Sequence, residues 1–206
     1  MNPKLFTMIA WDPPGYGKSR PPTKDFNNFY RTDATMASKL MKALNYSRYS
    51  VMGWSNGGVC SLILTANEGA NCVDKLIVWG TNAYVNEVDR ACVSKVRDPT
   101  TSWSESFRKT FIDIYGEEEL YQLWTRWVDH YISMDDLCKK DLVNIKCPVL
   151  LMHGDCDPMM SSDHPLYLTK HISNITLHRF PKGKHNIHQK YVDQFNKLCE
   201  DFLTSN

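Results

Sequence analysis

The residues with the clearest chemical potential are a serine, an aspartate and a histidine that follow one another along the chain. Ser55 lies in the segment GWSNG (residues 53–57), which fits the pattern G-x-S-x-G. On a sharp turn between a strand and a helix, small neighbours allow a serine hydroxyl to stand clear as a nucleophile. Because five residues fit this pattern often by chance, its weight depends on the elements and residues around it.

Two downstream loops offer the partners that such a serine needs. Asp157 follows the apolar run CPVLLMHG, and a carboxylate there can accept the imidazole N–H of a catalytic base. Asp155 in the same loop remains the alternative acid. His185 lies in the loop GKHN, and a lone loop histidine is ordinarily a solvated residue, as we expect for His171 and His188. The order serine, aspartate, histidine favours a catalytic role for His185 instead.

The residues on either side of the serine are candidates for contacts with the substrate. A helix that begins directly after Ser55 directs backbone N–H groups towards developing negative charge. We therefore predict that the N–H of Asn56 forms one half of an oxyanion hole. The side chains of Trp54 and Asn56 are the candidate substrate-binding groups beside it.

Strand-like and helical patterns alternate along the chain, which predicts βαβ units, a parallel sheet and an α/β fold. The predicted strands cover residues 5–11, 49–54, 73–79, 147–154 and 175–180. The predicted helices cover residues 32–44, 58–67, 163–172 and 189–203, with Thr32 and Asp33 as capping residues of the first. Ligands of such sheets lie at the carboxyl ends of the strands, where Ser55, Asp157 and His185 all fall.

Residues 82–140 interrupt this alternation with helical patterns that carry aromatic residues on one face. We assign residues 1–81 and 141–206 to the α/β core and residues 82–140 to a helical cap insertion. The aromatic positions are either the core of a helical subdomain or, in part, the roof of a pocket. They include Trp103, Phe107, Phe111, Tyr121 and Trp124.

Composition and charge exclude several classes of protein. The 24 basic and 23 acidic residues give a net charge of +1, which favours neither nucleic acid nor an acidic membrane surface. No run approaches the roughly 20 apolar residues that cross a bilayer. The seven cysteines are widely spaced, without a CxxC pair or a zinc-ligand pattern, and we interpret them as reduced thiols of an intracellular protein. We expect a monomer without a metal site.

Two other chemistries fit the motifs less well. The segment PPGYGKS does not meet the spacing of a phosphate-binding loop, which argues against nucleotide binding. Dehalogenase or epoxide-hydrolase chemistry needs an aspartate nucleophile at the position of Ser55.

Several longer segments carry a family resemblance. They are AWDPPGYGKSRPP, GWSNGG, KLIVWGTNAYV, CPVLLMHGDCDP and GKHNIH. Through them, residues 4–203 resemble the biphenyl hydrolase-like (valacyclovir hydrolase) branch of the α/β-hydrolase superfamily. The resemblance implies hydrolysis of small-molecule esters through an acyl-enzyme, with Ser55, Asp157 and His185 as the triad and no cofactor. It also implies that the helical insertion forms the cap.

The chain departs from this family in two ways. The family places an aspartate after the nucleophile, where it pairs with the α-ammonium group of amino-acid esters, whereas this chain has Asn56. The family also places three strands and a helix before AWDPPGYG, and a loop among them supplies the second oxyanion donor. We therefore expect an N-terminally truncated chain with a gap in its sheet between residues 5–11 and 49–54.

These departures leave alternatives to an active esterase. The chain could be a catalytically inactive truncated isoform, or a non-catalytic binding protein that keeps the pocket. We expect an intracellular protein, cytoplasmic or mitochondrial, with no targeting segment visible in the 206 residues.

Overall fold

The computed structural model describes residues 1–205. Within them, four parallel strands form one sheet in the order β1-β2-β3-β4. The strands are β1 (Tyr49–Trp54), β2 (Val73–Trp79), β3 (Val149–Gly154) and β4 (Ile175–Phe180). Three of them have the bounds that the apolar runs predict, and β3 begins two residues later, after Pro148. The fold is the predicted α/β arrangement.

Helices cover both faces of the sheet, since parallel strands alternate their side chains between two buried layers. Leu76 and Val78 pack with the first layer, which includes Leu62 of the helix Asn56–Glu68. Ile77 packs with the second layer, which includes Phe195 of the helix Val192–Thr204. The helices are α1 (Phe29–Ala43), α2 (Asn56–Glu68), α3 (Glu87–Lys95), α4 (Pro99–Ser102), α5 (Glu105–Tyr115), α6 (Glu117–Ile132), α7 (Asp163–His171), α8 (Ile187–Lys190) and α9 (Val192–Thr204), with a 3₁₀ turn over Lys139–Asn144.

The predicted strand over residues 5–11 is wrong. These residues form no strand, and Leu5, Met8 and Ile9 are exposed. An apolar run becomes a strand only when a neighbouring strand accepts its backbone hydrogen bonds, and none among residues 1–205 lies beside this segment. The predicted gap in the sheet is wrong for the same reason, since β1 is simply an edge strand.

The first helix exists, but its predicted start and caps are wrong. It begins at Phe29 after Asn28, three residues before the predicted Thr32. Asp33 is not a cap, because it is buried in an ion pair with Lys24, whose Nζ lies 2.6 Å from Asp33 Oδ1. A charge can be buried when it is paired and hydrogen-bonded, and the apolar pattern gave no signal of that pairing.

The insertion between β2 and β3 is helical, as its pattern predicts. Its aromatic rings pack against one another, with the Trp103 and Trp124 centroids 4.7 Å apart in an edge-to-face contact and the Trp124 and Trp127 centroids also 4.7 Å apart. One buried polar contact ties the insertion to the core, because Asp89 pairs with His164 at 2.7 Å. Another lies within the insertion, where Asn82 donates to Tyr131 Oη at 2.9 Å. The aromatic residues therefore form a packed cluster, and their role as a roof stays a prediction.

Candidate active site

Ser55 occupies a strained turn between β1 and α2. Its φ of 54° and ψ of −122° lie where residues with a Cβ are rarely found, and such strain persists only where the surroundings enforce it. The backbone is held on both sides: Ser55 N–H donates to Trp79 O at 3.0 Å, and Ser55 O accepts from Thr81 Oγ1 at 3.0 Å. The hydroxyl makes no hydrogen bond with any described residue. This is the geometry that exposes a nucleophile.

Close packing explains one glycine of the motif and not the other. A methyl group at Gly53 would lie 2.2 Å from Ser61 Oγ and 2.4 Å from the carbonyl oxygen of Gly57. At Gly57 it would meet nothing within 4 Å, so steric need does not account for this glycine. The strand therefore approaches the first turn of α2 at Gly53, which sets the sharpness of the turn.

Asp157 is fixed by its side chain. Its Oδ1 accepts from the N–H groups of Met159 at 2.8 Å and Met160 at 3.2 Å, and its Oδ2 lies 2.8 Å from His185 Nδ1. The Asp157 side chain is 1% exposed, so these hydrogen bonds replace its hydration. The alternative acid, Asp155, instead accepts from Arg179 Nε at 2.8 Å. The structure thus brings Asp157, and not Asp155, to His185.

The His185 ring lies against residues 79–81, the segment that hydrogen-bonds the backbone of Ser55. A methyl group at Gly80 would lie 3.1 Å from His185 Nδ1, and Gly80 is flanked by the two residues that hydrogen-bond the Ser55 backbone. No hydrogen bond joins Ser55 Oγ to His185 within residues 1–205. In ligand-free enzymes this contact is often long and tightens only when substrate is bound. All three predicted residues therefore lie at one edge of the sheet.

Asn56 presents two groups beside the serine. Its backbone N–H has no acceptor among the described residues, as an oxyanion donor requires. Its side-chain Oδ1 accepts from the hydroxyl of Tyr30 at 2.7 Å. Burial raises the pKa of Tyr30 well above its usual value, so this phenol stays protonated and donates. The Asn56 amide N–H₂ has no hydrogen-bond partner in residues 1–205, so it remains available as a donor.

Two further residues were not identified from the sequence. Tyr30 lies on α1, whose apolar pattern gave no signal of a polar contact. His188 is not the solvated residue predicted, because it is partly buried and its Nδ1 accepts from Trp79 Nε1 at 2.9 Å. Burial lowers the pKa of His188, and nearby His185 lowers it further. Trp54 donates from its indole to the carbonyl oxygen of His185 at 3.1 Å, and a substrate contact for it stays a prediction.

Neither a metal site nor a membrane span is found in the described part of the chain. In residues 1–205, no three His, Cys, Asp or Glu side chains lie together so as to hold a metal ion. None of the described helices has the length and apolar character needed to cross a membrane.

Comparisons with known proteins agree with the fold and with the family resemblance of the sequence. A family model described as serine aminopeptidase, S33, matches residues 1–191. Serine hydrolase BPHL of Homo sapiens is 41% identical over 209 residues, which cover 98% of this chain and 71% of that protein. Among solved structures, an α/β-hydrolase enzyme from a deep-sea metagenome library (MGS-M2) has a TM-score of 0.74 at 17% identity, covering 89% of this chain and 75% of that one. An esterase from Exiguobacterium antarcticum has a TM-score of 0.72 at 21% identity, covering 94% and 80%.

Proposed function

The chain belongs to the serine aminopeptidase S33 family of α/β hydrolases and is a serine hydrolase related to BPHL, and from this premise we propose that it cleaves small carboxylic esters through an acyl-enzyme. The observation that carries the proposal is the 2.8 Å contact between Asp157 Oδ2 and His185 Nδ1 beside a strained serine with a free hydroxyl. A carboxylate at Nδ1 leaves Nε2 of the imidazole free to act as the base.

The proposed mechanism assigns one role to each group. His185 Nε2 takes the proton of Ser55 as the serine oxygen attacks the acyl carbonyl, then donates it to the departing alkoxide. Water attacks the acyl-enzyme by the same route, which releases the carboxylic acid and regenerates the serine. Asp157 holds the imidazole in one tautomer and stabilises its charged form. The N–H of Asn56 stabilises the oxyanion, and one such donor is typically worth about 3 kcal/mol.

Asn56 supports a preference for acyl groups without an α-ammonium group. Because Asn56 Oδ1 is engaged by Tyr30, the side chain offers N–H donors and no negative charge beside the serine. A cationic acyl group would leave its ammonium unpaired there, whereas an α-hydroxyl or other acceptor could accept from the amide. We therefore propose that uncharged acyl groups with an acceptor near the carbonyl are the better substrates.

A fluorophosphonate probe tests the catalytic proposal, because it phosphonylates a serine only when the hydroxyl is activated. Labelling of folded wild-type chain, lost in Ser55→Ala and in heat-denatured wild type, is the expected result. Folded wild-type chain that stays unlabelled at high probe concentration would contradict the proposal. It would favour instead a non-catalytic binding protein, since Ser55 Oγ forms no hydrogen bond with His185 in the described residues.

A matched pair of esters tests the preference for uncharged acyl groups. The two share one alcohol and carry either a 2-amino-3-methylbutanoyl or a 2-hydroxy-3-methylbutanoyl group. We expect a higher kcat/KM for the hydroxy acid ester, by about tenfold if one unpaired charge decides it. Asn56→Asp restores a carboxylate and should reverse the ratio. A wild-type preference for the amino ester would count against this assignment.

A further inference from the structure

The loop that carries His185 has no regular structure of its own. It runs from the end of β4 at Phe180 to the start of α8 at Ile187. Two of its carbonyl groups are fixed by neighbouring parts of the site. Gly183 O accepts from Cys156 N–H at 2.8 Å, and His185 O accepts from Trp54 Nε1 at 3.1 Å.

These two anchors come from the segments that carry the other two triad residues. Cys156 directly precedes Asp157, and Trp54 directly precedes Ser55. The histidine loop is thus tied by one hydrogen bond to the acid loop and by another to the nucleophile turn. The tie at Trp54 is the more consequential, because it acts on the carbonyl of the base itself.

A second indole, that of Trp79 at the end of β2, supports the turn that directly follows the loop. Trp79 Nε1 donates to His188 Nδ1 at 2.9 Å, and the His188 ring also lies 4.9 Å from the Trp54 ring, centroid to centroid. The Trp54 ring contacts His185 as well, with centroids 5.1 Å apart. The Trp54 ring therefore contacts both histidines, of which His185 lies near the end of the loop and His188 lies in the first turn after it.

We propose that Trp54 is a positioning residue for the base, and that Trp79 with His188 forms its supporting anchor. The two indoles hold the histidine loop where His185 Nδ1 lies 2.8 Å from Asp157 Oδ2. This inference rests on the proposed function, because the base is assigned there. Nothing in it requires either indole to touch substrate.

The test compares two variants that each remove a side-chain hydrogen bond to a backbone carbonyl. Trp54→Phe keeps an aromatic ring and removes the hydrogen bond to His185 O. Lys75→Met is the control, since Lys75 Nζ donates to the carbonyl oxygen of Phe202 at 2.8 Å near the start of β2, away from the histidine loop. We expect Trp54→Phe to lower kcat by about tenfold with little change in KM, and Lys75→Met to leave kcat unchanged.

One readout is independent of turnover, so the inference and the proposed function can fail separately. The proton shared by His185 Nδ1 and Asp157 should give a strongly downfield NMR signal, assigned by its loss in Asp157→Asn. In Trp54→Phe this signal should broaden through faster exchange, and in Lys75→Met it should persist. Wild-type chain that shows the downfield signal but neither fluorophosphonate labelling nor ester hydrolysis would contradict the proposed function and leave the positioning role intact. Trp54→Phe with wild-type kcat and an unchanged signal would overturn the positioning role.

A second pair keeps the test decisive if Trp54→Phe does not fold. His188→Gln retains an oxygen that can accept from Trp79, whereas His188→Leu does not. We expect His188→Gln to keep the downfield signal and at least about half of kcat, and His188→Leu to lose both as Trp79→Phe does. Equal behaviour of the two His188 variants would overturn the supporting anchor.

Discussion

Ser55 is held by its backbone, whereas Asp157 is held by its side chain. At Ser55 the N–H and the carbonyl are both hydrogen-bonded, and the hydroxyl is left free. At Asp157 both carboxylate oxygens are hydrogen-bonded and the side chain is 1% exposed. The strands that precede the two residues also differ. β1, before Ser55, pairs with one strand and has exposed positions. β3, before Asp157, pairs with two strands and is buried along its whole length.

This difference follows from what each group would have to do. A nucleophile must move its side-chain oxygen onto a substrate, so only its backbone can be fixed in advance. An orienting acid must stay where it is, so its carboxylate can be enclosed and saturated with hydrogen bonds. The contrast therefore predicts that changes at the acid act on the rate of reaction and that changes at the serine turn act first on stability.

The largest effect is expected at the acid. Asp157→Asn keeps the shape but favours the wrong imidazole tautomer, and kcat should fall on the order of 10⁴-fold, as for the corresponding change in a serine protease. Asp155→Asn is the matched control, because it removes only the partly exposed pair with Arg179, and kcat should stay within about twofold. Steady-state ester hydrolysis measures both. Comparable losses in the two variants would mean that the acid is misassigned.

The serine turn is tested by two alanine substitutions four residues apart. In Gly53→Ala the new methyl group would collide with Ser61 Oγ and the carbonyl of Gly57, and overpacking of this kind costs about 1–3 kcal/mol. In Gly57→Ala the methyl group meets no atom within 4 Å, and alanine in place of glycine in α2 should stabilise it by up to about 1 kcal/mol. Urea unfolding compares them. If Gly57→Ala is the more damaging change, the packing account of the turn is wrong.

A smaller effect is expected from the hydroxyl that supports the Ser55 carbonyl. Thr81→Val removes the 3.0 Å hydrogen bond from Thr81 Oγ1 in a buried position, and should lower the free energy of unfolding by about 1 kcal/mol. Thr65→Val is the matched control, because the buried hydroxyl of Thr65 has no partner among residues 1–205, so its removal should be neutral or stabilising. Equal losses in the two variants would show that the Thr81 contact does not support the turn. Slower fluorophosphonate labelling should accompany the loss in Thr81→Val.

Much of the fold could be predicted because its strands are short segments rich in apolar and β-branched residues, bounded by turn residues. The bounds of β1, β2 and β4 follow from local composition alone, although β1 and β4 are edge strands with exposed positions. The same reasoning failed at residues 5–11, where an equally apolar run has no strand to pair with. Local pattern gives the type of an element, whereas pairing depends on what lies beside it.

The candidate site divides in the same way. Ser55, Asp157 and His185 could be located because a turn motif and strand ends place them at one edge of the sheet. The contacts of Tyr30 and His188 could not, because each joins residues far apart in sequence, 26 residues between Tyr30 and Asn56 and 109 between Trp79 and His188. The spacing of apolar residues along the chain carries no information about hydrogen bonds between residues so far apart in sequence.

The smallest predicted effect is a pH signature beside the acid loop. Burial lowers the pKa of His153 on β3, although Asp157 nearby acts in the opposite direction. The unfolded chain then takes up a proton at a higher pH than the folded chain, so the free energy of unfolding should fall as the pH drops below about 6.5. NMR titration should place the His153 midpoint below that of a free histidine, and His153→Gln should make the stability less dependent on pH between about 7 and 5. His188 also has a lowered pKa, so part of the dependence should remain in that variant. A His153 midpoint at or above the pKa of a free histidine would show that β3 is better hydrated than its burial implies. The difference in burial between the Asp157 region and the Ser55 turn would then be smaller.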